Sequence, residues 1–297
     1  MKPGIYTLLT FFTLAAWAQP DTDKSYLNQK PPGMIPEIFA PGVVSLTNQH
    51  EFGSVFSRDG KEFFYGVVVD RKAEIRHMKL DGEKWTLPGT LLSSDQYSFN
   101  DPFLSPDEKR LYFISDIPFD GVSEKKDYDI WYIEKTNDNW SMPQKVGRPV
   151  NSTKNEYYIS FTEHGTLYFS SNVNAPEDNR NNFDIYSAAN KAGEFMEPEK
   201  MSDSINTRHY EADVFVAYDE SYLIFCGDRP EGYGRGDLYI SFKDQDGTWT
   251  KAKNMGSEIN SEDHELCPFV SKDGKYLFYT RNKDIYWADA GIIERFR

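Results

Sequence analysis

The chain has 297 residues, 27% of them charged and 15% aromatic, with a formal net charge of −14. That is too rich in aromatics for disorder, and long enough for one or two ordinary domains or one closed all-β ring. The acidic balance argues against nucleic acid and anionic membrane surfaces, which both need a positive footprint, and leaves cations or neutral ligands such as sugars.

In chain order, residues 1–18 read as an export signal: Lys2 is the positive start, Ile5 to Trp17 form a short apolar run, and Ala16-Trp17-Ala18 is a small-x-small cleavage site. The run is short for a membrane span, so no membrane insertion is expected, and the location implied is periplasmic or secreted, with cleavage near Ala18. Residues 19–37 read as an N-terminal linker and 38–297 as one domain. The two cysteines, Cys226 and Cys267, occupy different repeat positions, and whether they pair in an oxidising compartment is left open.

From residue 51 onward one unit recurs. A tight turn holds Asp59, Asp107, His164, Asp219 or Asp273. An aromatic run follows, as in Phe63-Phe64-Tyr65 or Leu167-Tyr168-Phe169. Next comes an acidic-apolar pair, Glu74-Ile75, Asp129-Ile130, Asp184-Ile185, Asp237-Leu238 or Asp284-Ile285. A fourth element begins at Trp85, Trp140, Phe195 and Trp249, spaced by 55, 55 and 54 residues, with proline three residues on in the first three copies. Short runs of β-branched and aromatic residues between Gly, Asp and Asn turns are strands, and no segment carries a helical apolar period. Each unit is therefore a four-stranded propeller blade.

Five first, second and third strands are present, but the fifth copy ends before its fourth strand. The missing strand is expected upstream, at Ile38-Phe39-Ala40-Pro41-Gly42-Val43, closing the last blade and covering an edge that would otherwise template aggregation. Residues 292–296 compete for the same edge. The fold expected is all-β, a five-bladed propeller with N-terminal closure and almost no helix.

The Ser-Pro-Asp-Gly-like turns and the Asp-Ile-Tyr triplets resemble the WD-like β-propeller repeats of the TolB type, over nearly all of residues 46–288. The resemblance implies an exported bacterial propeller with a binding or assembly surface. TolB-type propellers usually have six blades, from which a count of five departs.

In such a blade the first-to-second and third-to-fourth connections share one face, and here they are tight turns. The opposite face carries long connections, 116–127, 172–182 and 228–236, and irregular loops on a rigid scaffold are the usual place for recognition. The same face receives the start of every inner strand, at Glu51, Phe99, Glu156, Glu211 and Glu265, with Asp101 and Asp213 two residues further along. Carboxylates gathered at one channel mouth need a cation, an arginine or backbone donors to compensate them. A residue repeated in every blade also fits a scaffold role, accepting from neighbouring backbone. His50, His209 and His264 lie beside these glutamates in three consecutive blades, so a divalent cation is a candidate ligand, Zn²⁺ or Mn²⁺ with imidazole and Ca²⁺ with oxygen donors alone. Arg229, ahead of the glycine-rich Gly232-Tyr233-Gly234-Arg235-Gly236, is a candidate for an acidic group or a sugar, with the glycines serving turns that need φ > 0.

No G-x-S-x-G, Walker loop, C-x-x-C or H-E-x-x-H is present. Two readings follow. One is a binding module that recognises a protein partner or a glycan through its long-loop face. The other is a carbohydrate-active enzyme, a glycoside hydrolase or metal-assisted lyase. Five-bladed propellers host such hydrolases, and a glutamate would act there with a partner such as Asp101 or Asp213.

Overall fold

A computed structural model describes residues 24–118, 127–137 and 139–297; the expected signal peptide and most of the first long loop lie outside these. Five antiparallel blades form a closed ring. Blade 1 is Glu51–Phe56, Glu62–Val69, Lys72–Asp81 and Gly89–Leu92, and blade 2 is Phe99–Leu104, Arg110–Ser115, Asp129–Thr136 and Gln144–Lys145. Blade 3 is Glu156–Phe161, Leu167–Ser171, Asp184–Ala188 and Glu199–Lys200; blade 4 is Tyr210–Val216, Tyr222–Asp228, Asp237–Phe242 and Lys253–Asn254. Blade 5 joins Glu265–Val270, Tyr276–Arg281 and Asp284–Asp289 to the N-terminal Glu37–Ile38.

The strands form where aromatic and β-branched residues alternate between the two faces that neighbouring blades cover. Turn chemistry fixes their register. Ser57, Ser105 and Ser271 each donate to an aspartate two residues on, at 2.7–2.8 Å, and accept a backbone N–H from the start of the next strand. The repeated third-strand aspartates are also scaffold: Asp129 pairs with Lys145, Asp184 with Lys200, and Asp237 accepts from Tyr233 N and Asn254.

N-terminal closure is observed, five residues earlier than the sequence alignment places it. Glu37 pairs with Trp287 as Gln144 pairs with Tyr132 and Glu199 with Ser187, so Pro36, not Pro41, holds the place of Pro143 and Pro198. The outer strand proper starts after the proline, and the tryptophans belong to the hairpin before it, as Trp85 pairing with Leu80 shows. Phe39, fully buried, then meets Phe56, Phe63, Phe278 and Trp287 with ring centroids 5.0–5.8 Å apart. Burying a ring of that size contributes about 1.5–3 kcal/mol to the closure. Residues 292–296 do not compete for the edge, because Ala290–Phe296 is a 3-10 helix capped by Asp289. Part of the expected linker also packs on the ring: Tyr26 is buried against Phe56 and Tyr276.

Candidate functional site at the axis and the long-loop face

The inner-strand glutamates are built by a local motif. In Val150-Asn151-Ser152, Ile205-Asn206-Thr207 and Ile259-Asn260-Ser261, the asparagine amide accepts from the backbone N–H of Ile130, Ile185 or Leu238 in the preceding blade and donates back to the same residue's carbonyl. The following Ser or Thr gives both its hydroxyl and its N–H to the glutamate four residues on: Ser152 to Glu156, Thr207 to Glu211, Ser261 to Glu265, at 2.5–3.1 Å. Glu51 lacks the hydroxyl and accepts the N–H of Leu46, at 3.3 Å. All four glutamates are buried. Burial raises their pKa values, those of Glu51 and Glu156 to about 7. Their backbone N–H groups, rather than their carboxylates, cross to the preceding blade, as from Glu156 to Tyr128 and from Glu265 to Gly236.

Arginines complete two of these sites from inside. Arg229 is buried, donates Nε to Glu211 at 3.0 Å and Nη2 to the Ile205 carbonyl, and lies 4.4 Å from the Tyr239 ring centroid. It is therefore engaged within its own blade. Arg281 does the same in blade 5, 2.9 Å from Glu265 and over Tyr286. The three histidines have separate surroundings: His50 packs at Phe52, His209 accepts from Arg208 Nε, and His264 Nε2 lies 3.4 Å from Cys226 Sγ. Among the described residues no group of three or more His, Cys, Asp or Glu side chains is arranged to hold a metal ion.

The axis itself is formed two residues further along. Every inner strand is bulged there, and Gly53, Asp101, Tyr158, Asp213 and Cys267 all take φ between 45° and 53°. The bulge turns these five positions inward, where they meet across both neighbouring and non-adjacent blades. The Cys267 thiol donates to Asp101 at 3.5 Å, the Cys267 N–H donates to Asp213 at 3.4 Å, and the Tyr158 hydroxyl donates to the Pro268 carbonyl at 2.8 Å. Burial pushes Asp101 up to about 8, with Asp213 adding like-charge repulsion, and pushes Asp213 up to about 6. Cys226 and Cys267 are free, buried thiols, and burial raises both. The sequence singles out Asp101 and Asp213 here, and Tyr158 as a ring at an inner-strand start that could stack on a sugar; it does not put Tyr158, which is buried, or Gly53 and Cys267 on the axis. Counting two residues on from every inner-strand start would have found them. Below this layer, Phe103, Phe215 and Phe269 pack with centroids 5.9–6.0 Å apart. At the turn face, Arg58 of blade 1 donates to the hydroxyl of Tyr218 in blade 4.

On the long-loop face Val173 and Tyr233 are exposed, at 40% and 51%. The glycines around Tyr233 do not serve positive φ. A Cβ on Gly234 would stand 2.3 Å from the Asp263 carbonyl oxygen, and one on Gly236 2.6 Å from the His264 ring. They let the loop press against the lead-in of blade 5.

No family model and no curated protein matches this sequence. Solved structures do. A putative TolB from Agrobacterium tumefaciens superposes with a TM-score of 0.52 at 15% identity, over 79% of this chain and 71% of that one. TolB from Acinetobacter baumannii gives 0.52 at 12% identity, over 81% of this chain and 54% of its own, so this chain spans about half of that protein. A protein of unknown function from Dyadobacter fermentans gives 0.53 at 12% identity, covering 88% and 83%. The fold is that of a TolB-like β-propeller. At these identities the likeness speaks for architecture, and function has to be argued from the site. No helix among the described residues is long and apolar enough to cross a membrane.

Proposed function

We propose that this chain is an exported binding module that recognises a protein partner or a glycan through its long-loop face. The observation that carries the reading is how the carboxylates are used. The four glutamates that a hydrolase or lyase would draw on are buried and already hydrogen-bonded within their own lead-ins, and two are further held by arginine. The same face offers Tyr233 and Val173 on connections anchored to a rigid ring, an arrangement suited to recognition.

The test is a glycan array together with chemical cross-linking to cell-envelope proteins, run on the purified chain and on a Tyr233→Ser, Val173→Ser double variant. Captured ligand should fall by about tenfold or more in the variant, with Tm unchanged. Polysaccharide turnover by the purified chain that disappears in Asp213→Asn would overturn the reading in favour of a carbohydrate-active enzyme.

A further inference from the structure

Blades 3, 4 and 5 share one cage, and only two of the three are filled from inside. In blade 4 the Arg229 guanidinium lies between the Glu211 carboxylate, the Ile205 carbonyl and the stacked pair Phe225 and Tyr239. In blade 5 Arg281 stands in the same relation to Glu265, the Ile259 carbonyl and the pair Tyr279 and Tyr286. The walls are superimposable in kind: the ring pairs are 5.9 Å apart in both blades, tilted by 23° and 24°.

Blade 3 has the walls without the guanidinium. Phe169 and Tyr186 stack at 5.9 Å and 27°, and Glu156 stands where Glu211 and Glu265 stand, held by Ser152 in the same way and by the Ser171 hydroxyl, which donates to its Oε1 at 2.9 Å. The positions that supply the arginine in the other two blades are Ser171, which pairs with Glu156 as Arg281 pairs with Glu265, and Val173, two residues on, matching Arg229. Neither carries a positive charge. Beyond the Ser171 hydroxyl, where the rest of the guanidinium lies in the other blades, there is a cavity of about 480 Å³, lined by Val150, Glu156, Phe169, Val173 and Tyr186 and opening on the long-loop face. Arg148, the one cation on its lining, is exposed at the rim.

We infer that this cavity is a recognition slot for a guanidinium, taking the side chain of an arginine on a partner protein. The Glu156 carboxylate supplies the charge-assisted contact, the Val150 carbonyl corresponds to the one that Arg229 and Arg281 use, and the Phe169–Tyr186 pair supplies the ring face. A planar, weakly hydrated guanidinium suits such a slot better than a compact ammonium, because it stacks and hydrogen-bonds at once. The overall charge of −14 favours a basic partner. Glu156 is only 1% exposed, and its pKa is lifted to about 7 by burial, as fits a carboxylate with no cation beside it. The inference deepens the binding-module reading by naming the chemistry of the partner, and rests on it for the choice of face.

The experiment is titration of the purified chain with N-acetyl-arginine amide, followed by NMR or calorimetry. The matched lysine and citrulline amides serve as controls. Arginine should bind with a Kd on the order of 1 mM and about tenfold or more ahead of citrulline, its neutral isostere. Glu156→Gln should lose that preference. Ser171→Arg should place a guanidinium in the slot from inside, as blade 5 does, and so abolish binding while raising Tm. Equal binding of citrulline, or unchanged arginine binding in Ser171→Arg, overturns the slot. Selective uptake of the arginine amide with partner capture insensitive to Tyr233→Ser alone, a residue off the cavity lining, keeps the slot and sinks the wider loop-face reading. Loop-dependent capture of a protein or glycan with no arginine uptake does the reverse.

Discussion

Two rings of residues sit two positions apart on the same inner strands, and they behave in opposite ways. The outer ring, Glu51, Glu156, Glu211 and Glu265, is nearly uniform, and in three of its four blades it takes the same two hydrogen bonds from a Ser or Thr four residues earlier. The axial ring is Gly53, Asp101, Tyr158, Asp213 and Cys267: five backbones in one conformation carrying four kinds of residue. The difference follows from geometry. A position that faces its own blade can repeat without conflict. A position aimed at the axis meets its own copies, and five identical bulky side chains cannot occupy one point. The repeat therefore has to break where the blades converge, and the axis holds one tyrosine, two carboxyls, one thiol and one glycine that makes room.

The largest expected effect breaks the outer ring. Arg229→Ala leaves the Glu211 carboxylate fully buried with its cation gone, and removing one partner of a buried pair costs roughly 3–5 kcal/mol. Chemical denaturation should show that loss in the single variant. It should be much smaller in the double variant Arg229→Met, Glu211→Gln, where no orphan charge remains. Equal losses in the two would mean that packing of the arginine stem, rather than charge compensation, is what the site supplies.

A smaller effect tests the axis. Gly53 has φ of 49°, and a Cβ there would lie 2.8 Å from Asp101 Oδ1 and 3.2 Å from Asp101 Cα. Gly53→Ala should cost about 2 kcal/mol from the left-handed backbone and the contact together. Gly82 also has positive φ but has nothing within 4 Å of a Cβ. Gly82→Ala should therefore cost about half as much, from backbone conformation alone, and a Gly53→Ala loss no larger than that would show that the axial layer is loosely packed.

The blades were legible because their signals are local: turn aspartates, aromatic runs and a tryptophan spacing of 55 residues all act within one unit. The closing strand was found but misaligned, since Gly33 stands in the aromatic place ahead of Pro36 and removes the marker that identifies the other copies. A scaffold role for the glutamates was legible, but not the partners that fill it, because the Ser or Thr that holds three of them lies in a connection whose sequence otherwise varies. The bulge was hidden for a different reason. Asp, Tyr and Cys do not announce a left-handed backbone as glycine does, and only Gly53 hints at it. Least legible was the blade 3 slot, which is defined by an arginine that is not there.

The smallest expected effect, and the one that separates the two rings most sharply, is the pH dependence carried by Asp101. Folding raises its pKa from 3.8 to about 8, first by burial and then by repulsion from Asp213. A carboxyl raised by folding holds its proton more tightly in the folded state. Its contribution to stability is thus fully present below pH 4 and drains away as pH rises through about 8. Glu51 and Glu156, raised to about 7, add to the same trend, whereas His50, His77 and His264, lowered by burial, oppose it as pH falls through 6.5. Comparing the chain with Asp101→Asn cancels those shared terms and leaves the axial one, and asparagine tolerates the φ of 49°. Between pH 6.5 and pH 8 the unmodified chain should lose on the order of 1–2 kcal/mol relative to the variant, or roughly 3–6 °C in Tm. Parallel Tm curves over that window would mean that Asp101 and Asp213 do not hold a proton between them, and that the axis is kept closed by shape alone.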